Sequence, residues 1–140
     1  MLTRQHWASR IPHAYDMALI DAVVDWTETT IHAIGERHRP DTHPLRSPAG
    51  LHAVQLAEYG AQALAVHAAL LGDTGGRAGR LVSVRDMHLA VEYVDLSQGR
   101  LDVQAERIYV DDRGAQYLFK VEQQGRMLAS GRVVVMYVAQ

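Results

Sequence analysis

From Ala49 to Gly72 the chain reads AGLHAVQLAEYGAQALAVHAALLG, a helix-length segment in which Glu58 is the only formally charged residue. A surface helix carries several Lys, Arg, Glu or Asp on its outer face. One that is apolar or small nearly all round belongs inside a protein. Ala57, Gly60, Ala61, Ala63, Ala65, Ala68 and Ala69 keep this rod thin, so that other backbone can approach it closely. At about 100° per residue, Gln55, Glu58, Tyr59 and Gln62 share one arc, a polar stripe on an apolar rod. As a solvent face that stripe would be expected to carry Lys or Arg as well. A carboxylate in such surroundings must be paired, neutralised or used. Just upstream, in the loop-like stretch DTHPLRSPAG, stands His43. A histidine delivered to the start of a buried helix that holds one acid suggests acid–base chemistry in a closed apolar pocket.

Composition narrows the alternatives. A chain of 140 residues fits one domain, residues 1–140, large enough for a real core. The net charge of -2 argues against nucleic acid as a partner, and the lack of cysteine removes disulfide scaffolds and thiolate metal sites. His38, Asp41 and His43 could imitate a metal cluster, but no third histidine or defined ligand spacing accompanies them, so no metal is expected. The opening MLTRQHWASRIPH lacks the apolar run of a secretory signal. Two His, two Gln and a Glu would make Ala49–Gly72 a costly membrane span. The expectation is a cytoplasmic protein with no membrane span.

Around the long helix, the rest of the chain reads as strands. Ala18–Trp26 and Glu28–Arg37 precede it, and Gly72 stands where a C-terminal cap belongs. After it come Leu81–Val94, Leu101–Val110, Tyr117–Val121 and Leu128–Val138, separated by turn signals at Asp95–Gly99, Asp111–Gly114 and Gln123–Gly125. Two strands, one buried helix and four strands with short connections predict an α+β domain in which an antiparallel sheet curls around the helix. That shape is the hotdog fold.

Three segments carry a family resemblance. Ile11–Val23, IPHAYDMALIDAV, resembles the LPHRYPFLLVDRV opening of the 3-hydroxyacyl-(acyl carrier protein) dehydratases. Leu51–Gln62, LHAVQLAEYGAQ, resembles that family's MPGVLxxEAxAQ, with Glu58 and Gln62 at its acid and glutamine positions. His43 stands where the family has its GHFP histidine, one residue farther from the glutamate than usual. GRMLASGRVVVM resembles the closing strand. Pro44 replaces the Phe after the histidine, and His52 and Ala53 replace the Pro and Gly of MPG. In these departures the chain is similar to the divergent branch found in aryl-polyene and xanthomonadin-type pigment gene clusters.

The resemblance implies dehydration of a 3-hydroxyacyl thioester held on the phosphopantetheine of an acyl carrier protein, with no other cofactor. It implies His43 as the base, Glu58 as the group that protonates the departing hydroxyl, and a site formed across a dimer. Gln62 would orient Glu58 or water. Backbone N–H groups around Leu51–Ala53, Ala53 above all, would polarise the thioester carbonyl at the positive end of the helix dipole. His52 competes with His43 for the role of base. Arg77, Arg80 and Arg85 would form a basic rim for the acidic carrier or the phosphopantetheine phosphate. Two other functions remain open on the residues alone: a hotdog thioesterase, and a non-catalytic hotdog subunit paired with a related dehydratase. A homodimer, a higher oligomer and a heterodimer all fit.

Overall fold

The computed structural model describes residues 1–8, 18–36, 38, 43–72 and 79–138. A short strand β1 (Leu2–Thr3) is followed by β2 (Ala22–Trp26), β3 (Thr30–Gly35), helix α1 (Leu56–Leu71), β4 (Gly79–Leu89), β5 (Leu101–Val110), β6 (Gly114–Gln123) and β7 (Arg126–Tyr137). The strands form one sheet in the order β1-β2-β3-β5-β6-β7-β4, every neighbouring pair antiparallel. The chain therefore leaves β3, runs through α1 and returns at the far edge as β4. The β5–β6–β7 meander fills the gap between. Among the described strands β4 and β1 are the edges.

Period-two alternation selects the face that meets the helix. Ile31 and Ala33 on β3, Leu101, Val103 and Ala105 on β5, Ala115, Tyr117, Phe119 and Val121 on β6, and Ala129, Val133 and Val135 on β7 are buried. The helix touches β3, β4, β5, β6 and β7, as expected of a sheet wrapped round a rod. The small residues permit this approach. A Cβ added at Gly60 would lie 2.6 Å from Cγ of Phe119, so the aromatic ring occupies the space that a side chain would need.

The local signals read from sequence fall close to their elements. Gly72 takes φ 75° and caps α1, its N–H pointing to the carbonyls of Ala68 and Ala69. Gln124 and Gly125, at φ 51° and 79°, make the tight turn between β6 and β7. Several boundaries differ: β2 begins at Ala22 rather than Ala18, and β6 runs Gly114–Gln123 rather than Tyr117–Val121. The α-helix begins at Leu56, preceded by a single 3-10 turn at Ala53–Gln55, rather than at Leu51 or His52. The strand expected to reach Val94 stops at Leu89, because the next residues turn to the helix entrance: Glu92 O accepts from Ala53 N at 2.8 Å, and Val94 N donates to Leu51 O at 2.9 Å.

Two outcomes follow for stability. Gly60→Ala gains about 1 kcal/mol of helix propensity but overpacks the Phe119 contact at a cost of about 1–3 kcal/mol. The denaturation midpoint in urea is expected to fall. An unchanged or higher midpoint would show that the ring yields freely. In the β5–β6 turn, Asp111 Oδ1 accepts from Arg113 N at 2.8 Å and Gly114 N at 3.1 Å, and Oδ2 accepts from the Tyr109 hydroxyl at 3.1 Å. These bonds, the Arg113 amide foremost, hold its carboxyl below the ordinary carboxylate range. The folded value lies below the unfolded one, so the contribution is complete above about pH 4 and is lost as pH falls through the depressed folded value. Asp111→Asn is expected to flatten the acid limb of a melting-temperature profile. An acid limb identical to wild type would contradict this role.

Candidate active site

The polar stripe on α1 is not a solvent face. Tyr59 and Gln62 are each 1% exposed, while Glu58 is half-buried within the chain. Gln62 is held from both sides of its amide: Oε1 accepts from the backbone N–H of Leu19 at 2.7 Å, and Nε2 donates to Glu58 Oε1 at 3.4 Å. One side chain thus fastens the helix to the segment before β2 and steadies the carboxylate one turn away. Within a single chain Glu58 is half-buried.

His43 opens a turn closed by Arg46 N donating to its carbonyl at 3.1 Å. The turn carries the imidazole to α1, where it is buried and meets Tyr59. Nε2 lies 3.1 Å from the Tyr59 hydroxyl, and the two rings are almost parallel with centroids 6.2 Å apart. The amide of Leu45 donates to Nδ1 at 3.2 Å. So the loop histidine reaches the helix at the residue immediately after Glu58. The other candidate base, His52, has a structural duty. Its Nδ1 accepts from Val54 N at 3.0 Å and so caps the 3-10 turn, and its ring stands edge-on to Tyr93.

The helix entrance corrects the assignment of Ala53. Its N–H donates to Glu92 O, Val54 N–H to His52 Nδ1, and Gln55 N–H to His52 O. These three amides are occupied within the chain, because the 3-10 turn folds them inward and residues 92–94 zip onto the entrance. A thioester oxygen would have to displace Glu92 to reach Ala53. Arg80 and Arg85 are exposed on β4, in register with Met136 and Arg132 on the side of the sheet away from α1. Arg77 and Asp41 lie outside the described residues, as do His13 and Tyr15. Among the described residues no group of three or more His, Cys, Asp and Glu could hold a metal ion, and no helix is long and apolar enough to cross a membrane. A cavity of about 660 Å³, lined by Thr30, His32, Gln104, Glu106, Lys120 and Ser130 among others, opens on the sheet and includes none of the candidate residues.

Two polar residues have roles that the sequence did not assign. Tyr59 was placed on the polar stripe, at the position where the dehydratase motif MPGVLxxEAxAQ has alanine, without a named role. His67, fully buried farther along α1, bonds the Tyr117 hydroxyl through Nδ1 and the Thr27 carbonyl through Nε2 at 2.7 Å. A carbonyl only accepts, so Nε2 donates to Thr27 O. This histidine is a strut between helix and sheet.

Comparison with known proteins bears on the family and the fold. A family model described as ApeP-like, ApeP dehydratase, matches residues 5–140. No curated protein sequence shows significant similarity to the chain. Among solved structures, the dehydratase heterocomplex ApeI:P from Xenorhabdus doucetiae is similar with a TM-score of 0.80 and 21% identity, over 95% of this chain and 91% of that one. A mutant of the thioesterase SAV0944 from Staphylococcus aureus gives 0.65 and 17%, over 84% and 93%. A hypothetical thioesterase with coenzyme A from Streptococcus pneumoniae gives 0.59 and 12%, over 84% and 85%. The fold is the hotdog fold.

The Gln62 contacts carry their own test. Gln62→Leu keeps the volume and removes the acceptor of a buried N–H, which costs about 1–3 kcal/mol. Chemical denaturation should register that loss. A variant as stable as wild type would mean that Leu19 finds another acceptor.

Proposed function

The chain belongs to the ApeP-like dehydratase family, and we propose that it removes water from a 3-hydroxyacyl thioester carried on the phosphopantetheine of an acyl carrier protein, giving the trans-2-enoyl thioester during aryl-polyene or related fatty-acyl synthesis. The observation that supports this reading is that both groups are held in defined directions: Glu58 is steadied by Gln62, and the imidazole of His43 is anchored on Tyr59. In the reaction His43 takes the C2 proton, and the C–H electron pair becomes the C2–C3 π bond as the C3–O bond breaks. Glu58, entering as the carboxylic acid, gives its proton to the departing hydroxyl, which leaves as water. Gln62 fixes the carboxyl through that step.

The occupied Ala53 amide supports a second element of the reading, that a partner subunit completes the site. β4 is an edge strand with Val82, Val84 and Leu89 exposed, the kind of edge that pairs with another sheet. A second hotdog subunit, identical or related, pairs there, and Glu58 then works with His43 of the opposite chain. Arg80 and Arg85, exposed on β4, are the described cations that an acidic carrier protein would meet. A cytoplasmic location accords with such a partner.

His43→Ala and Glu58→Gln are each expected to lower dehydration by roughly a hundred- to ten-thousandfold with the fold intact, and the double variant to lose little more than either single one. Conversion of the hydroxyacyl to the enoyl carrier-bound species, read by mass spectrometry, is the assay. Release of free acid instead would favour a thioesterase. Turnover only after adding a related hotdog subunit would assign this chain the supporting half of a heterodimer. Full activity in His43→Ala would refute the assignment of the base. Light scattering is expected to give a dimer or larger species, and a stable monomer at micromolar concentration would contradict the shared site.

A further inference from the structure

We propose that Tyr59 is a positioning residue for His43, one that decides which imidazole nitrogen receives the substrate proton. The inference rests on the dehydratase reading above and begins with the hydrogen bonds around the ring. Leu45 N–H can only donate, so the Nδ1 that it meets at 3.2 Å presents a lone pair. A neutral imidazole carries one N–H, which therefore sits on Nε2. At 3.1 Å from Nε2, the Tyr59 hydroxyl oxygen is its acceptor.

The acceptor is rigid. Tyr59 is 1% exposed, and its ring lies against Gly35, where an added Cβ would come within 2.9 Å of Cε2 and 2.9 Å of the Leu19 carbonyl. Gly35 thus leaves open the space that the tyrosine ring fills, and β3 backs the ring from behind. The imidazole plane is only 5° from the phenol plane. A packed phenol, a loop amide and a turn closed on the His43 carbonyl together leave the imidazole little freedom to rotate.

The consequence concerns the direction of proton transfer. With Nε2–H committed to Tyr59, the nitrogen able to take the C2 proton is Nδ1, once substrate displaces the Leu45 amide. The proton lands on Nδ1, its former C–H electron pair enters the C2–C3 bond, and the hydroxyl departs with the Glu58 proton. The imidazolium so formed keeps donating Nε2–H to the phenol oxygen. Tyr59 serves His43 as a triad carboxylate serves its histidine, holding tautomer and orientation without touching substrate, although with a neutral acceptor and on the opposite ring nitrogen.

The test combines two readouts on the assembled protein. Nitrogen-15 NMR of histidine-labelled protein, with the His43 signals identified by their loss in His43→Ala, is expected to show the Nε2–H tautomer in the wild type. Tyr59→Phe keeps the ring against Gly35 and removes only the hydroxyl. It is expected to mix the tautomers and to lower kcat by roughly three- to tenfold, the scale of one hydrogen bond, with KM little changed. An Nδ1–H tautomer in the wild type would overturn the inference, and so would a folded Tyr59→Phe protein with unaltered tautomer and kcat. Should that variant fail to fold, the wild-type tautomer decides alone. A fully active His43→Ala would refute the dehydratase base while leaving the tautomer result standing, so the two failures are distinct.

Discussion

The structure depends on how closely a sheet can approach the backbone of α1. The Phe119 ring fills the place of a side chain at Gly60, and alanines occupy much of the remaining contact surface. Close approach lets five strands touch one helix and leaves little room for water. Polar groups on that helix then matter more than they would on a surface, since each must find a partner inside or sit at the rim.

Those partners divide the helix into zones. Gln62 binds the segment before β2, Tyr59 the His43 loop, and His67 the β2–β3 turn and β6. Each bond joins α1 to a different part of the wrapping sheet or its loops, so the network fixes the roll of the helix within its sleeve. Glu58 is the exception on the stripe. It is steadied from one side and half-open on the other, an arrangement suited to a group that must meet something arriving from outside. The network thus gives the carboxylate a defined direction while leaving it approachable.

Much of this was legible in the residues. The near absence of charge in Ala49–Gly72 marked the buried helix, alternation marked β5, a run rich in Val marked β7, and Gly72 and Gln123–Gly125 marked their cap and turn. The pairing of Gln62 with Glu58 follows from their four-residue spacing. Other features depend on contacts distant in sequence. Nothing near Ala53 reveals that Glu92 would claim its amide, because that bond depends on where the chain goes after β4. The faces presented by Arg80 and Arg85 likewise depend on the register with β7 and on the bulges that interrupt β4. Tyr59 was legible as a member of the polar stripe, but its partner is set by the turn that His43 opens.

The strand order also dictates a sequence of events in folding. β5, β6 and β7 are joined by short turns and pair locally, whereas β3 must find β5 across the helix and β4, with Thr30 meeting Glu106. Closing that long loop costs chain entropy before any contact compensates, so the rate-limiting step falls on the β3–β5 seam rather than on the helix or the hairpins. Until the seam closes, the apolar rod of α1 is covered on one side only. An incompletely folded chain therefore exposes the surface most prone to association until that slow step is complete.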